Sequence, residues 1–130
     1  MKDTFIFLFV LIADQTTKYI VIESMNWHAN TGISFGLFPR FPLWIFFALI
    51  FLMLFFRMFF KIKFDFRWSI FMAGMIGNLI DRVRFGFVID WISFPFPFIG
   101  KLHINIADIA LIIGFICLTF DESSPKRGNF

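Results

Sequence analysis

The chain of 130 residues is poor in charge and in cysteine. Charged residues make up 16% of it, whereas they make up about 25% of ordinary soluble domains. The single cysteine, Cys117, excludes an internal disulfide bond and a cysteine-based metal site. The net charge of +3 is modest and gives no indication of nucleic-acid binding. The composition therefore does not fit a soluble, disulfide-stabilised or nucleic-acid-binding protein.

Apolar side chains dominate instead, with 59% hydrophobic residues and 24 phenylalanines. A surface this apolar would aggregate in water, so a lipid bilayer is the predicted solvent. We predict an all-α membrane protein with a single domain over residues 1–120 and a cytoplasmic tail over 121–130. Its four membrane-spanning helices are predicted at about 4–22, 41–60, 66–85 and 102–120.

The first segment also resembles a cleaved signal peptide, because one lysine precedes an apolar run. No small-x-small cleavage site follows that run, and Asp14 stands where such a site is expected. A retained helix is therefore the favoured prediction.

Basic residues predict the orientation of the chain. Arg57, Lys61, Lys63 and Arg67 cluster between the second and third spans, which places that loop in the cytoplasm. Both termini then also face the cytoplasm, and the third span runs outward while the fourth runs inward. The polar residues of these two spans and of the loop between them are thus predicted to meet near the outer leaflet: Asn78, Asp81, Arg82, Asp90, Asn105 and Asp108.

Asp90 and Asp108 stand out among these residues because neither has a lysine or arginine within four positions. A carboxylate at membrane depth is costly unless it is paired, hydrogen-bonded or protonated. Two carboxyl groups held close together share a proton, so one can activate water while the other polarises a peptide carbonyl. This is the chemistry of an aspartic protease, which needs neither a metal nor a covalent intermediate.

The other acids have cations near them along the chain. Asp14 and Lys18 are four residues apart on the first span and are predicted to neutralise each other. Asp81 adjoins Arg82 and precedes Arg84 by three residues, so these arginines are its predicted partners. Asp90 and Asp108 are thus the acids left without a nearby cation. This comparison uses distance along the chain, and Arg82 could reach either of the two in the folded protein.

Three alternatives stay open at this point. His103-x-Asn105-x-x-Asp108 is the one concentrated set of metal ligands in the sequence. Intramembrane carboxylates are also typical of a small proton-coupled transporter. A third possibility is a non-catalytic subunit whose polar residues bind a partner helix.

Five motifs in this order closely resemble those of bacterial lipoprotein signal peptidases, the signal peptidase II family. They are DQTTK at 14–18, NTGISFG at 30–36, GMIGNLIDR at 74–82, VIDW at 88–91 and NIAD at 105–108. The resemblance implies an inner-membrane aspartic endopeptidase that cleaves diacylglyceryl-modified prolipoproteins just before the lipidated cysteine. It assigns the catalytic dyad to Asp90 and Asp108.

The resemblance also implies roles for other residues. Asp14 and Lys18 would support the site, and residues 30–38 would supply part of a small β-cradle on the outer side. No cofactor or metal is implied, the partners would be prolipoproteins and membrane lipids, and a monomer would suffice. The substrate cleft would be lined by Asn30, Gly32, Asn78, Arg82 and Asn105.

Overall fold

The computed structural model contains four helices and two small antiparallel sheets in the residues that it describes, which are 1–24, 26–32, 43–59, 61, 63–98 and 100–120. The helices are α1 (Lys2–Ser24), α2 (Leu43–Phe59), α3 (Phe66–Phe85) and α4 (Ile106–Phe120). The strands are β1 (His28–Asn30), β2 (Val88–Asp90), β3 (Ile92–Phe96) and β4 (Gly100–Ile104). Helix α3 is central, because it packs against α1, α4 and α2. The predicted helical fold is confirmed, with short strands inserted between its helices.

Helix α1 is, within the described ranges, the one helix that is both long and apolar enough to cross a membrane by length and composition. Two further apolar stretches, Phe47–Phe59 and Ile106–Phe120, are shorter. Helix α3 has the length of a span, but it buries polar side chains along one face. The number of spans and their orientation therefore remain predictions.

Local signals set both ends of α3. The carboxylate of Asp65 accepts hydrogen bonds from the backbone amides of Arg67 (3.0 Å) and Trp68 (3.4 Å), as an N-cap does. At the other end, Gly86 adopts a left-handed conformation with φ of 80°, and its amide donates to the carbonyl of Arg82. This turn sends the chain from α3 into β2, which ends at Asp90.

Helices α3 and α4 approach each other closely at Gly74. A Cβ atom added there would lie 2.5 Å from the carbonyl oxygen of Ala107 and 2.9 Å from Cγ of Leu111. Both values are below normal contact distance, and the first atom belongs to the backbone of the first turn of α4. Gly74 therefore allows α3 to lie against the beginning of α4.

We expect Gly74→Ala to lower the free energy of unfolding by about 2–3 kcal/mol, because the added methyl group must push α4 away. Gly86→Ala is the control, since nothing lies within 4 Å of that position and only its positive φ is strained, which costs about 1 kcal/mol. Thermal unfolding in detergent measures both losses. A loss in Gly74→Ala no larger than that of the control would contradict the close approach.

The strands bring distant parts of the site together. Antiparallel pairing of β1 with β2 places Asn30 opposite Val88 and His28 opposite Asp90. Strands β3 and β4 form a hairpin that begins with Ile92 opposite Ile104. The ends of β1, β2 and β4 thus lead directly into Asn30, Asp90 and Asn105.

One sequence prediction differs from these elements. The fourth span was predicted from residue 102, but Gly100–Ile104 is a strand and α4 begins at Ile106. The prediction was wrong there because the backbone of 100–104 pairs with that of 92–96, and an apolar run does not distinguish strand from helix. Small sheets on the connecting segments are present as the resemblance implied. Most of the cradle segment 30–38 lies outside the described residues, which include only 30–32 of it.

Candidate active site

Asn105 and Asp108 are tied together at the beginning of α4. The backbone amide of Asp108 donates to Oδ1 of Asn105 (2.8 Å), and the amide of Asn105 donates to Oδ2 of Asp108 (3.2 Å). This reciprocal pair is a capping box, in which the residue before the helix and the third helical residue satisfy each other's amides. The motif therefore holds the carboxyl group of Asp108 at a defined position.

Asn105 links the two predicted catalytic acids through its side chain and its backbone amide. Its Nδ2 donates to Oδ1 of Asp90 (2.7 Å), while its backbone amide binds Asp108 as described. The other oxygen of Asp90 accepts a hydrogen bond from Nδ2 of Asn30 (3.0 Å). Both acids are buried, and the structure brings them together around a single asparagine.

Asn78 provides the second contact to Asp108. Its Nδ2 donates to Oδ1 of Asp108 (2.8 Å), and its own Oδ1 accepts from Nδ2 of Asn105 (3.1 Å) and from Nζ of Lys18 (3.2 Å). The lysine thus determines which end of the Asn78 amide faces the acid, because an ammonium group can only donate. Each carboxyl oxygen of the dyad accepts one hydrogen bond from a neighbouring amide.

Asp90 titrates near neutral pH. Burial, together with the charge of Asp108, raises the pKa of Asp90 to about 7, although the hydrogen bond from Asn30 partly opposes this shift. A carboxyl group ordinarily titrates at a pKa of about 4. At neutral pH the pair can therefore hold one proton between them, as the proposed acid–base chemistry requires.

We expect kcat to fall as the pH rises through about 7, because the pair then loses its shared proton.

The free energy of unfolding also depends on the ionisation of the Asp90 carboxyl group. Its folded pKa lies above its unfolded pKa, so the ionised form of Asp90 disfavours folding and the free energy of unfolding falls as the pH rises from about 4 to about 7. Asp90→Asn should lack this component, so the stability difference between wild type and variant should change across that window. Unfolding measured in detergent at several pH values tests this, and a constant difference would contradict it.

A buried ion cluster lies beside the dyad. Nζ of Lys18 is 2.8 Å from Oδ2 of Asp14 and 2.9 Å from Oδ2 of Asp81, and all three side chains are buried. The predicted pairing of Asp14 with Lys18 is confirmed. The sequence missed Lys18 as a partner of Asp81, because that contact joins α1 to α3 over a long stretch of chain.

This cluster also holds the neighbouring elements in place. Oδ1 of Asp14 accepts from the amide of Ala107 in the first turn of α4 (2.9 Å), and Oδ2 of Asp81 accepts from the amide of Ile89 in β2 (3.1 Å). Each acid thus binds the backbone next to one member of the dyad. Through these hydrogen bonds, Asp14 and Asp81 hold in place the segments that carry Asp108 and Asp90.

Gln15 is a residue of this cluster that the sequence analysis did not assign. Its Nε2 lies 3.1 Å from Oδ2 of Asp14, from Oδ1 of Asp81 and from the carbonyl oxygen of Gly77. The signal in the sequence for a role of Gln15 was its place in the polar run 14–18 of an otherwise apolar segment. Its neighbours on α3 could not be inferred from spacing.

Arg82 and Gly32 contact each other directly. Nη2 of Arg82 donates to the carbonyl of Gly32 (2.6 Å), and Nη1 donates to the carbonyl of Asn78 (3.3 Å). The amide of Gly32 donates to Oδ1 of Asn30 (2.9 Å). All the site residues predicted from the sequence are therefore brought into one connected network, although their contacts with a substrate remain predictions.

The possible metal-ligand set of the sequence is not assembled. The ring of His103 stacks on that of His28, with centroids 4.7 Å apart, while the oxygens of Asp108 face Asn78 and Asn105. Burial and the neighbouring His28 and Lys101 lower the pKa of His103. Within the part of the chain that the structure describes, no three histidine, cysteine or acidic side chains form a group that could hold a metal ion.

Comparisons with known proteins agree with the motifs. The model of a family described as signal peptidase (SPase) II matches residues 6–123. A lipoprotein signal peptidase of Thermodesulfovibrio yellowstonii is 30% identical, with 92% of each chain covered. Another, from Burkholderia mallei, is 29% identical over 93% of this chain and 87% of its own length.

Solved structures share the fold. A bacterial membrane enzyme determined by the in meso method at 2.3 Å resolution is similar with a TM-score of 0.77 and 29% identity, covering 99% of this chain and 94% of its own. A second bacterial membrane enzyme, determined at 1.9 Å, has a TM-score of 0.75 and 29% identity, with 96% and 94% covered. On the family match and these shared sequences and folds, the chain belongs to the signal peptidase II family and is a protease.

Proposed function

We propose that this protein removes the signal peptide from diacylglyceryl-modified prolipoproteins by cleaving just before the lipidated cysteine, with Asp90 and Asp108 as the catalytic dyad. The observation that carries the proposal is the pair of buried acids that Asn105 links in a member of the signal peptidase II family. The substrate class is supported by relatives that are named lipoprotein signal peptidases. These findings give no support to a transporter.

The hydrogen bonds of the dyad suit a water-activating mechanism. Each carboxyl oxygen accepts one bond from an asparagine side chain or backbone amide, and each has a second lone pair that can meet water or the peptide. The ionised acid takes a proton from water, which attacks the peptide carbonyl carbon while the protonated acid donates to the carbonyl oxygen. The tetrahedral intermediate then collapses, and the proton taken from water passes to the leaving amine.

The remaining predicted residues have roles consistent with this mechanism. The three asparagines of the site orient the acids through the hydrogen bonds described above, and their amide groups can form further hydrogen bonds with the substrate. They are Asn30, Asn78 and Asn105. Arg82 and Gly32 hold the segment after β1 against α3, beside the position where a peptide would enter. Asp14 and Lys18 support the beginning of α4 and the Asn78 amide.

The proposed location is the bacterial cytoplasmic membrane, crossed by all four helices with both termini inside. Basic residues stand in the last turn of α2 (Arg57), in the connection at 61 and 63, and in the first turn of α3 (Arg67), which supports a cytoplasmic position for that connection. The dyad then lies near the outer leaflet, where a lipid-anchored substrate presents its scissile bond. A monomer should be active, because all the proposed site residues come from a single chain.

A cleavage assay with the purified protein in detergent tests the function. We expect a diacylglyceryl-modified prolipoprotein to be cut so that the lipidated cysteine becomes the new N-terminus, as read by mass spectrometry. The matched control substrate carries serine in place of that cysteine and should remain uncut. Chelators should leave the rate unchanged. Cleavage at another bond, or equal cleavage of the control, would contradict the proposal.

A further inference from the structure

The hairpin of β3 and β4 has one apolar and one polar face. Its register pairs Phe94 with Leu102 and Ser93 with His103, and side chains on a strand alternate between the two faces. Pro95 and Lys101 continue the polar face. The other side, here called the apolar hairpin face, consists of Ile92, Phe94, Phe96, Leu102 and Ile104.

This apolar hairpin face is buried at one end and open at the other. Ile104, beside Asn105 of the site, is buried, whereas Phe94 and Phe96 are 38% and 47% exposed. Beyond the end of β3, Phe98 has φ of 70° and a fully exposed ring, at 106%. Such a φ is uncommon for a large residue, and here it projects an aromatic ring away from the protein. Three exposed aromatic rings within five residues of chain indicate an interaction surface.

The chemistry of the hairpin matches the surface of a bilayer. Phenylalanine rings enter the boundary between headgroups and acyl chains, while a lysine on the opposite face, Lys101, can reach the phosphates. Helix α4, which follows β4 after Asn105, also exposes apolar side chains at Ile109, Ile112 and Ile113. Pro95 lacks the backbone amide that an added strand needs, which disfavours edge pairing with a second copy.

We propose that the β3–β4 hairpin inserts the apolar hairpin face and Phe98 into the outer leaflet of the membrane. The insertion holds the end of the hairpin that adjoins Asp90 and Asn105 at the depth of a lipid-anchored peptide. The inference rests on the membrane placement given under the proposed function, and it adds a lipid-binding surface to the protease.

Spin labels in lipid nanodiscs test the insertion directly. In a Cys117→Ser background, nitroxides are attached at Phe94→Cys, Phe98→Cys and, as the polar-face control, Ser93→Cys. We expect oxygen, which concentrates in the bilayer, to relax the labels at 94 and 98 more than a water-soluble nickel chelate does, and the reverse at 93. Preferential relaxation by nickel at 94 and 98 would overturn the inference. Exclusion of both reagents at 94 would show that the face packs against protein, either this chain or a second copy, and would also overturn it.

Cleavage measured on the same preparations separates this inference from the proposed function. Phe94→Ser combined with Phe98→Ser should raise KM several-fold for substrate in the bilayer and leave the rate in detergent unchanged, whereas Ser93→Ala should change neither. An unchanged KM in the bilayer would overturn the inference even though the enzyme cleaves. A wild-type protein that fails to cleave in detergent would contradict the proposed function, whatever depth the labels report.

Discussion

Asp90→Asn and Asp108→Asn should each lower kcat for prolipoprotein cleavage by about 1,000-fold or more. An amide can neither take a proton from water nor hold the proton that the pair shares. Both oxygens of Asp90 accept hydrogen bonds from asparagine amides (3.0 and 2.7 Å), so an introduced NH2 group would also oppose one of these donors. The two losses should be far from additive, because the acids act as one unit.

The measurement is single-turnover cleavage with purified variants whose folding is checked by thermal unfolding. Asp65→Asn is the matched control, since it makes the same chemical change at the N-cap of α3, outside the dyad network. It should keep activity within a few-fold of wild type. Full activity in Asp90→Asn or Asp108→Asn would remove that acid from the mechanism.

Lys18→Met should lower the free energy of unfolding by about 3–5 kcal/mol, the range found when one partner of a buried ion pair is removed. The Lys18 side chain is 2% exposed, and its ammonium group lies within 3 Å of carboxylate oxygens of both Asp14 and Asp81. Methionine fills a similar volume, so the loss would come from two acids left buried without their cation. The Asn78 side-chain oxygen would also lose one of its two donors, and kcat should fall as well.

Arg67→Met provides the comparison for this loss of a cation. Arg67 pairs with Asp65 where both side chains are partly exposed, at 23% and 28%, so its removal should cost no more than about 1 kcal/mol. Adding Asp81→Asn to Lys18→Met should recover part of the stability, because one uncompensated charge is removed. Unfolding in detergent is measured for the wild type, the two single variants and the double variant. Equal losses in Lys18→Met and Arg67→Met would contradict a role for the buried cluster in stability.

Short-range features of the site could be predicted from helical spacing. Asp14 and Lys18 pair because residues four apart lie on one face of a helix, and Asn105 meets Asp108 because the first turn of a helix brings such residues together. The contacts of Gln15 could not be predicted in this way, since they join segments more than 60 positions apart. The same limit applies to the hydrogen bond between Arg82 and Gly32.

The sequence by itself determined the apolar class of the protein, its helical character, its family resemblance and the identity of the two costly acids. Each depends on composition, on local periodicity or on motif order, which are properties of the chain before it folds. Only the tertiary structure decided that Asn105 links Asp90 to Asp108, that Lys18 serves two acids, and that residues 100–104 form a strand. Those features depend on which backbone and side-chain groups of distant segments meet, because buried polar groups require partners that the local sequence does not supply.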